Sequence, residues 1–528
     1  MKSKKDPKPK KTPLLTKEIF SINNLLFTIE KYLTFSEKKI FYSCNKKLNE
    51  YFRNSITKLS AKKIINTPNI FERFPNINKI KFSFGWKYDL NNIKNLKNLE
   101  YLELEGDNYK NIEAIGELNN LTSLILLSNG LQNFDFIKNL NNITLLDVGN
   151  NSSISFKRDL TPLKHLTNIE VLSLQGCKLY NLDVLWAPNF KKLKKLYIGQ
   201  NDIWDFSFLQ NLQKLQTLSV YNSGLNKIDF LNFLNKYEIT ELNLGENNIY
   251  DYSVLYNFYN LKKLMLYNCK INDIDFLGKS VLENLEEINL GNNKITDFSP
   301  LKNMKKLKKL NLYFCNTDNI DFLKQEQFYQ IEYLDLANNK ISDFSFLQFY
   351  SKLKYLSISK NNIIIKNIGD WINGCTNLEE LNLSNNSIYN TSGFENLKNL
   401  KKLNMSDCSL NHIKFLSQEN FQNLIELNIC NNNIEDASVL EDLNKLEKLN
   451  ISHNQIESLD FLYGNSCLTE INFTHNKIKD FSVLKYLNKL EVVYYGKQRT
   501  KFYKNLDESN NEVIQKIENE IRKCKIKK

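Results

Sequence analysis

An internal duplication constrains this chain more than any other feature. Residues 239–284 read ITELNLGENNIYDYSVLYNFYNLKKLMLYNCKINDIDFLGKSVLEN, and residues 285–330 read LEEINLGNNKITDFSPLKNMKKLKKLNLYFCNTDNIDFLKQEQFYQ. Each copy divides into halves of about 22 and about 24 residues, the first half ending at Asn260 or Lys306. Similar units start at Ile77, Leu99 and Leu121 and recur to Leu468, with a half-unit from Leu490, so about 18 units stack in one chain. A unit this short cannot bury its own apolar face. It must lean on its neighbours, so the array grows without closing a globular core.

Numbering a unit from its first Leu or Ile, positions 4 and 6 share one face of a short strand and point inward, as Leu242 and Leu244 do. Position 9 is Asn in many units (Asn129, Asn151, Asn201, Asn247, Asn293, Asn339, Asn361, Asn386, Asn432, Asn454, Asn476). A buried amide there can bond backbone groups as the chain leaves the strand. The longer halves carry Cys177, Cys269, Cys315 and Cys408 instead, and a small thiol fits the same slot. Segments such as Asp205–Leu209 and Asp343–Leu347 predict short helical turns with stacked Phe on the opposite side. The L-x-x-L-x-L-x-x-N pattern resembles the leucine-rich repeat, in the short class of type-1 phosphatase regulators and bacterial internalins. The resemblance spans roughly 400 residues. It implies an α/β solenoid: a parallel sheet on the concave face, short helical turns on the convex face, and small helical caps at each end.

Charge argues about partners only through its location. Seven Lys against Asp6 and Glu18 put +5 in residues 1–20, and ten Lys or Arg against five acids put +5 in residues 497–528. The body between holds only +2 of the formal +12, which argues against a nucleic-acid-binding surface on the solenoid. No apolar run approaches the roughly 18 residues a membrane span needs. The basic start MKSKKDPKPKKTPLL is followed by no apolar signal-peptide core, so the chain is expected inside the cell, in the cytoplasm rather than the nucleus, and monomeric by itself. The nine Cys show no disulfide framework. No phosphate-cradling glycine loop, nucleophile elbow or zinc spacing occurs, so neither enzyme activity nor a cofactor is expected.

Function is then expected on the outward strand positions. Position 3 alternates in sign (Glu241, Lys263, Glu287, Lys309, then Glu380, Lys402, Glu426, Lys448, Glu470), a ladder that can cancel itself across strands roughly 5 Å apart. Position 5 is rich in Asn. Position 7 alternates Gly199, Tyr221, Gly245, Tyr267, Gly291 and Tyr313. These tyrosines either cover the glycines or form an aromatic strip with Phe314, Tyr333 and Tyr355, and the strip is the candidate target-binding site. His453 and His475 fall one unit apart at position 8, but beyond Cys430 no third ligand is evident and no metal site is expected.

The ends differ from the array. Residues 1–16 are a Lys/Pro-rich tail expected to be disordered. Residues 17–58 place apolar residues at helical spacing, with Leu25, Leu26, Ile29, Tyr32 and Leu33 reading LLxxIxxYL, then Ser36 and Glu37 at a helix start, then Cys44-x-Lys46 and Leu48. This stretch resembles an F-box. It departs from the usual pattern at Ile22-Asn23, where Leu-Pro is common, and at Leu48, near the usual Trp. The resemblance implies a Skp-type adaptor contacted by Leu25, Leu26, Ile29, Tyr32 and Leu33, and a substrate receptor of a Skp–cullin–F-box ubiquitin ligase. The alternative is a plain helical cap on a scaffold or on an enzyme regulator of the phosphatase-binding kind. A secreted adhesin is a third reading, disfavoured by the missing signal peptide. Residues 59–76 read as a helical connector broken by Pro68 and Pro75, residues 77–496 as the solenoid, and residues 497–528 as a capping helix from Ser509 with a basic tail.

Overall fold

The computed structural model describes residues 57–61, 71, 75–83, 88–106, 109–152, 159–279, 282–495 and 500–503. The F-box-like residues Leu25, Leu26, Ile29, Tyr32 and Leu33, and the helix expected from Ser509, lie outside the described residues.

Among the described residues the main sheet has 21 strands. Most strands are three residues long, such as Glu241–Asn243, Lys263–Met265 and Glu287–Asn289, and they pair in parallel, each residue opposite its equivalent one repeat on. Register holds because inward and outward positions alternate, so a one-residue slip would expose every core Leu. Positions 4 and 6 are buried throughout, as at Leu242, Leu244, Leu264 and Leu266.

Most convex turns are one-turn 3-10 helices, for example Ser207–Asn211, Ser253–Asn257 and Ser299–Asn303. The recurring Asp-Phe-Ser and Asp-Tyr-Ser triplets start them. Asp205, Asp251 and Asp297 each accept the N–H of the Ser two residues on at 2.8 Å, and these bonds hold the Asp251 and Asp297 carboxyls below the usual range. The expected spine forms from neighbouring rings: Phe206 on Phe230 at 4.0 Å, Tyr252 on Phe276 at 4.6 Å and Phe298 on Phe322 at 5.4 Å.

Position 9 forms the expected ladder. Asn247 donates to the carbonyls of Val220 and Leu244, both at 2.9 Å, and accepts the N–H groups of Ser223 and Leu225, both at 3.0 Å. In the longer repeats the thiol takes over the donor role, as Cys269 does toward the Leu244 carbonyl at 3.4 Å. Burial pushes the Cys177 and Cys315 thiols up to about 11 and that of Cys408 to about 12. A second set of amides stands just before several repeat starts: Asn260 reaches the Tyr237 carbonyl at 2.7 Å and Asn284 that of Tyr259 at 2.8 Å.

Both ends of the sheet depart from expectation. The presumed helical connector over 59–76 contributes a strand, Lys58–Ala61, which pairs in parallel with Lys79–Ser83 so that Leu59 meets Ile80 and Ala61 meets Phe82. The stack therefore starts one strand before Ile77, and Lys58 belongs to it rather than to the segment before. Pro68 and Pro75 fall after that strand and so do not disturb it. At the other end, Thr500–Tyr503 pairs antiparallel with Val492–Tyr495, so a strand occupies the edge assigned to a helix. The Thr-Lys-Phe-Tyr run is strand-favouring, and antiparallel pairing needs only a short return.

Candidate functional site on the concave face

The outward side chains of the parallel strands form the concave face. Its charged ladder is paired as expected: Lys263 with Glu287 at 3.0 Å, Lys309 with Glu287 at 3.6 Å, Lys402 with Glu380 at 2.8 Å and Lys448 with Glu426 at 3.2 Å. A second ladder at position 2 escaped the sequence reading. It joins Lys194 to Glu170 at 2.9 Å, and Lys308 to Glu286, Lys354 to Glu332 and Lys401 to Glu379 at 2.7 Å each. Exposed pairs like these contribute little stability, but they cancel charge over a large part of the surface.

The Asn row at position 5 has a structural job. Asn243 and Asn289 accept the N–H groups of Gly245 and Gly291 at 3.1 and 3.0 Å, and Asn311 that of Tyr313 at 2.8 Å. Each closes the turn in which position 8 takes a left-handed backbone, with φ 58° at Glu246, 55° at Asn292 and 54° at Phe314. Two repeats place Asp at position 5. Burial pushes both carboxyls, Asp147 and Asp335, above the usual range.

The six candidate aromatics do not form one strip. Tyr221 and Tyr267 are half-buried covers: a Cβ added at Gly199 or Gly245 would stand 2.5 Å from the ring of Tyr221 or Tyr267, respectively. Tyr221 also donates its hydroxyl to Gln200 at 2.9 Å. Tyr313 behaves differently. A Cβ at Gly291 would first meet Asn311 and the Tyr313 carbonyl, and the Tyr313 ring lies 6.0 Å from Phe314 instead. Tyr313 is 43% exposed and Phe314 49%. Tyr333 and Tyr355 stack at 4.1 Å, 7° from parallel, on adjacent strands. Burial first, and then the nearby Asp335 carboxylate, hold both phenols above their ordinary value. These two occupy position 3, four residues or roughly 13 Å along the strand from the level of Tyr313.

Three further features were not anticipated. An open basin of about 1130 Å³ lies over the strands from Tyr355 to Tyr494, floored by Asn404, Asn428 and Asn450 and walled by Lys402, Glu426 and Lys448. Tyr355 is the one predicted site residue on it. An aliphatic stretch, Ile125, Leu127, Leu145 and Val171, faces outward on three earlier strands. These residues lie in repeats of unequal length, those starting at Leu121, Ile143 and Ile169. The third feature is the stacking of His453 on His475, 4.0 Å apart and 16° from parallel, rather than convergence of their nitrogens. Among the described residues no group of three His, Cys, Asp or Glu is placed to hold a metal ion, and no helix is long and apolar enough to cross a membrane.

Family models described as leucine-rich repeats match residues 283–325, 351–410 and 422–464. Among curated proteins none matches the chain. Among solved structures, an internalin from Listeria monocytogenes is 26% identical, covering 70% of this chain and 89% of its own at a TM-score of 0.38. A Leptospira interrogans LRR protein is 22% identical, covering 81% and 98% at 0.42. The TLR13 chain of a TLR13–ssRNA13 complex is 19% identical, covering 82% and 68% at 0.51, a likeness of fold alone. The matched repeats, the long parallel sheet and the position-9 amide ladder show that this chain carries leucine-rich repeats stacked in a solenoid fold.

Proposed function

We propose that the chain is a protein-binding scaffold rather than an enzyme. Its concave face holds a target protein at the Tyr313–Phe314 and Tyr333–Tyr355 pairs, and residues 17–58 dock a Skp-type adaptor. The observation that carries the binding role is the exposure of Tyr313 and Phe314. At the level of this pair, the repeats on either side present Gly291 with Asn292 and Ala337 with Asn338. Two rings raised above small and polar neighbours offer area at low entropy cost, as binding anchors do. Paired charge around them keeps the rest of the face from competing.

The finer role, a substrate receptor of a Skp–cullin–F-box ubiquitin ligase acting in the cytoplasm, rests on LLxxIxxYL at Leu25, Leu26, Ile29, Tyr32 and Leu33 and on Cys44-x-Lys46 ahead of the repeats. Affinity purification of the full chain and of a chain lacking residues 1–50, which spares the strand at Lys58, tests it. The adaptor should be recovered with the full chain only. Recovery with both, or with neither, removes the ubiquitin-ligase role. Target recovery should survive the truncation and fall on Phe314→Asn.

A further inference from the structure

The rung at position 5 runs Lys81, Glu103, Ile125, Asp147, Ser173 and Tyr197 across neighbouring strands. Beside it on the same face stand Leu127, Leu145 and Val171, opposite in orientation to the buried Leu124, Leu126, Leu146 and Leu172. Four half-exposed aliphatics thus surround one carboxylate on a face that elsewhere presents paired charges, amides and the aromatic pairs described above. The local turn does not explain that carboxylate. Asp147 accepts the Gly149 N–H at 2.9 Å, the same task that Asn243, Asn289, Asn311, Asn382, Asn404, Asn428, Asn450 and Asn472 perform with a neutral amide. The turn needs an acceptor and not a charge.

Among the described residues the charge also has no counterion. The Ser173 hydroxyl and the Gly149 amide are its hydrogen-bond partners, and the charged group acting on it is another carboxylate, Glu103. Glu103 is already satisfied by Lys81 at 2.7 Å and by the Tyr101 hydroxyl at 2.5 Å. An ionised carboxylate offers about four lone-pair sites, and among the described residues these partners occupy two, which leaves room for a cation.

We infer that this patch docks a protein segment that sets a Lys or Arg side chain on Asp147 and apolar side chains against Ile125, Leu127, Leu145 and Val171. The aliphatics exclude water around the ion pair, which strengthens it, and an Arg fork can engage the two free lone-pair sites together. This contact lies far along the sheet from the Tyr333–Tyr355 pair and does not depend on it.

Fluorescence anisotropy of the full chain with labelled nonapeptides tests the inference, using one peptide alternating leucine and arginine and counterparts carrying glutamine or glutamate in place of arginine. The arginine peptide should bind, the glutamine peptide at least about tenfold more weakly and the glutamate peptide not at all. Asp147→Asn should cost the arginine peptide about tenfold, and Leu145→Ser should weaken it as well. Asp147→Asn keeps the acceptor the turn requires and removes a carboxylate that burial disfavours, so its melting temperature at pH 7 should be no lower than that of the parent. Glu426→Gln, in the distant ladder, should leave binding unchanged. Equal binding by the arginine and glutamine peptides overturns the proposal, as does an Asp147→Asn affinity equal to the parent's or a loss as large from Glu426→Gln. Sedimentation showing a dimer that Leu145→Ser abolishes also overturns it, because the patch would then belong to a second copy of the chain.

Discussion

Asn293 completes the turn of Cys269 in the repeat before it: its Oδ1 accepts the Cys269 N–H at 3.0 Å and the Ile271 N–H at 3.0 Å. Its Nδ2 meanwhile reaches the carbonyls of Leu266 and Leu290 at 2.8 and 2.7 Å. Asn293→Ala strands two buried donors in one repeat and weakens two acceptors. The expected loss is about 3 kcal/mol in a urea unfolding series, since each orphaned buried group costs roughly 1–3 kcal/mol. A loss below about 0.5 kcal/mol would show that these groups find other partners.

Phe314 adopts φ 54°, a conformation its neighbours Asn292 and Asn338 reach with a side chain suited to it. Phe314→Asn should therefore stabilise the chain by roughly 1 kcal/mol while reducing target recovery. A variant that is both less stable and fully competent in binding would place the ring among structural residues.

Tyr267 and Gly245 are coupled by contact, a Cβ at Gly245 standing 2.5 Å from the ring. Gly245→Ala should cost about 1–2 kcal/mol by overpacking. In the background of Tyr267→Ala the same change should cost much less. The double-mutant cycle should return a coupling of at least about 0.5 kcal/mol, and additivity would show that the ring moves aside freely.

Asp335 supplies a pH signature. Burial raises its carboxyl above the ordinary range in the folded state, so the folded chain favours the protonated form. Stability from this group falls as pH rises from the ordinary carboxylate value through the raised one, and at neutral pH the penalty is fully present. Asp335→Asn should therefore raise the melting temperature at pH 7, and the difference should vanish as pH drops below the ordinary carboxylate range. The neighbouring Tyr333 and Tyr355 phenols are held upward and stay neutral through that window. A difference that persists in acid would mean that packing, not charge, separates the two side chains.

What could be read from the sequence follows from where each residue's role is decided. Leu242, Leu244 and Asn247 act through their own periodicity, so the solenoid and its buried ladder were visible in one unit. Asn243 acts on a backbone N–H two residues later, and nothing in its spacing separates a turn acceptor from an exposed polar group. The difference between Tyr267 and Tyr313 is one of ring direction, set by neighbours on other strands. The strand at Lys58 was hidden because Pro68 and Pro75 dominate its repeat, and the reversed strand at Thr500 because it follows the last periodic Leu. Ile125, Leu145 and Val171 become one patch only when three repeats of unequal length are laid side by side.

The position-9 amides give the solenoid a polarity. Asn247, Asn293 and Asn339 each reach back to finish the repeat before them, accepting N–H groups at Ser223 and Leu225, at Cys269 and Ile271, and at Cys315 and Thr317. A chain emerging N-terminus first therefore holds an unfinished turn at its growing end until the next repeat arrives. Removing repeats from the two ends is unequal for the same reason. A cut from the C-terminal side leaves a newly exposed turn with two unsatisfied donors, whereas a cut from the N-terminal side leaves the amide's own carbonyl partner in place.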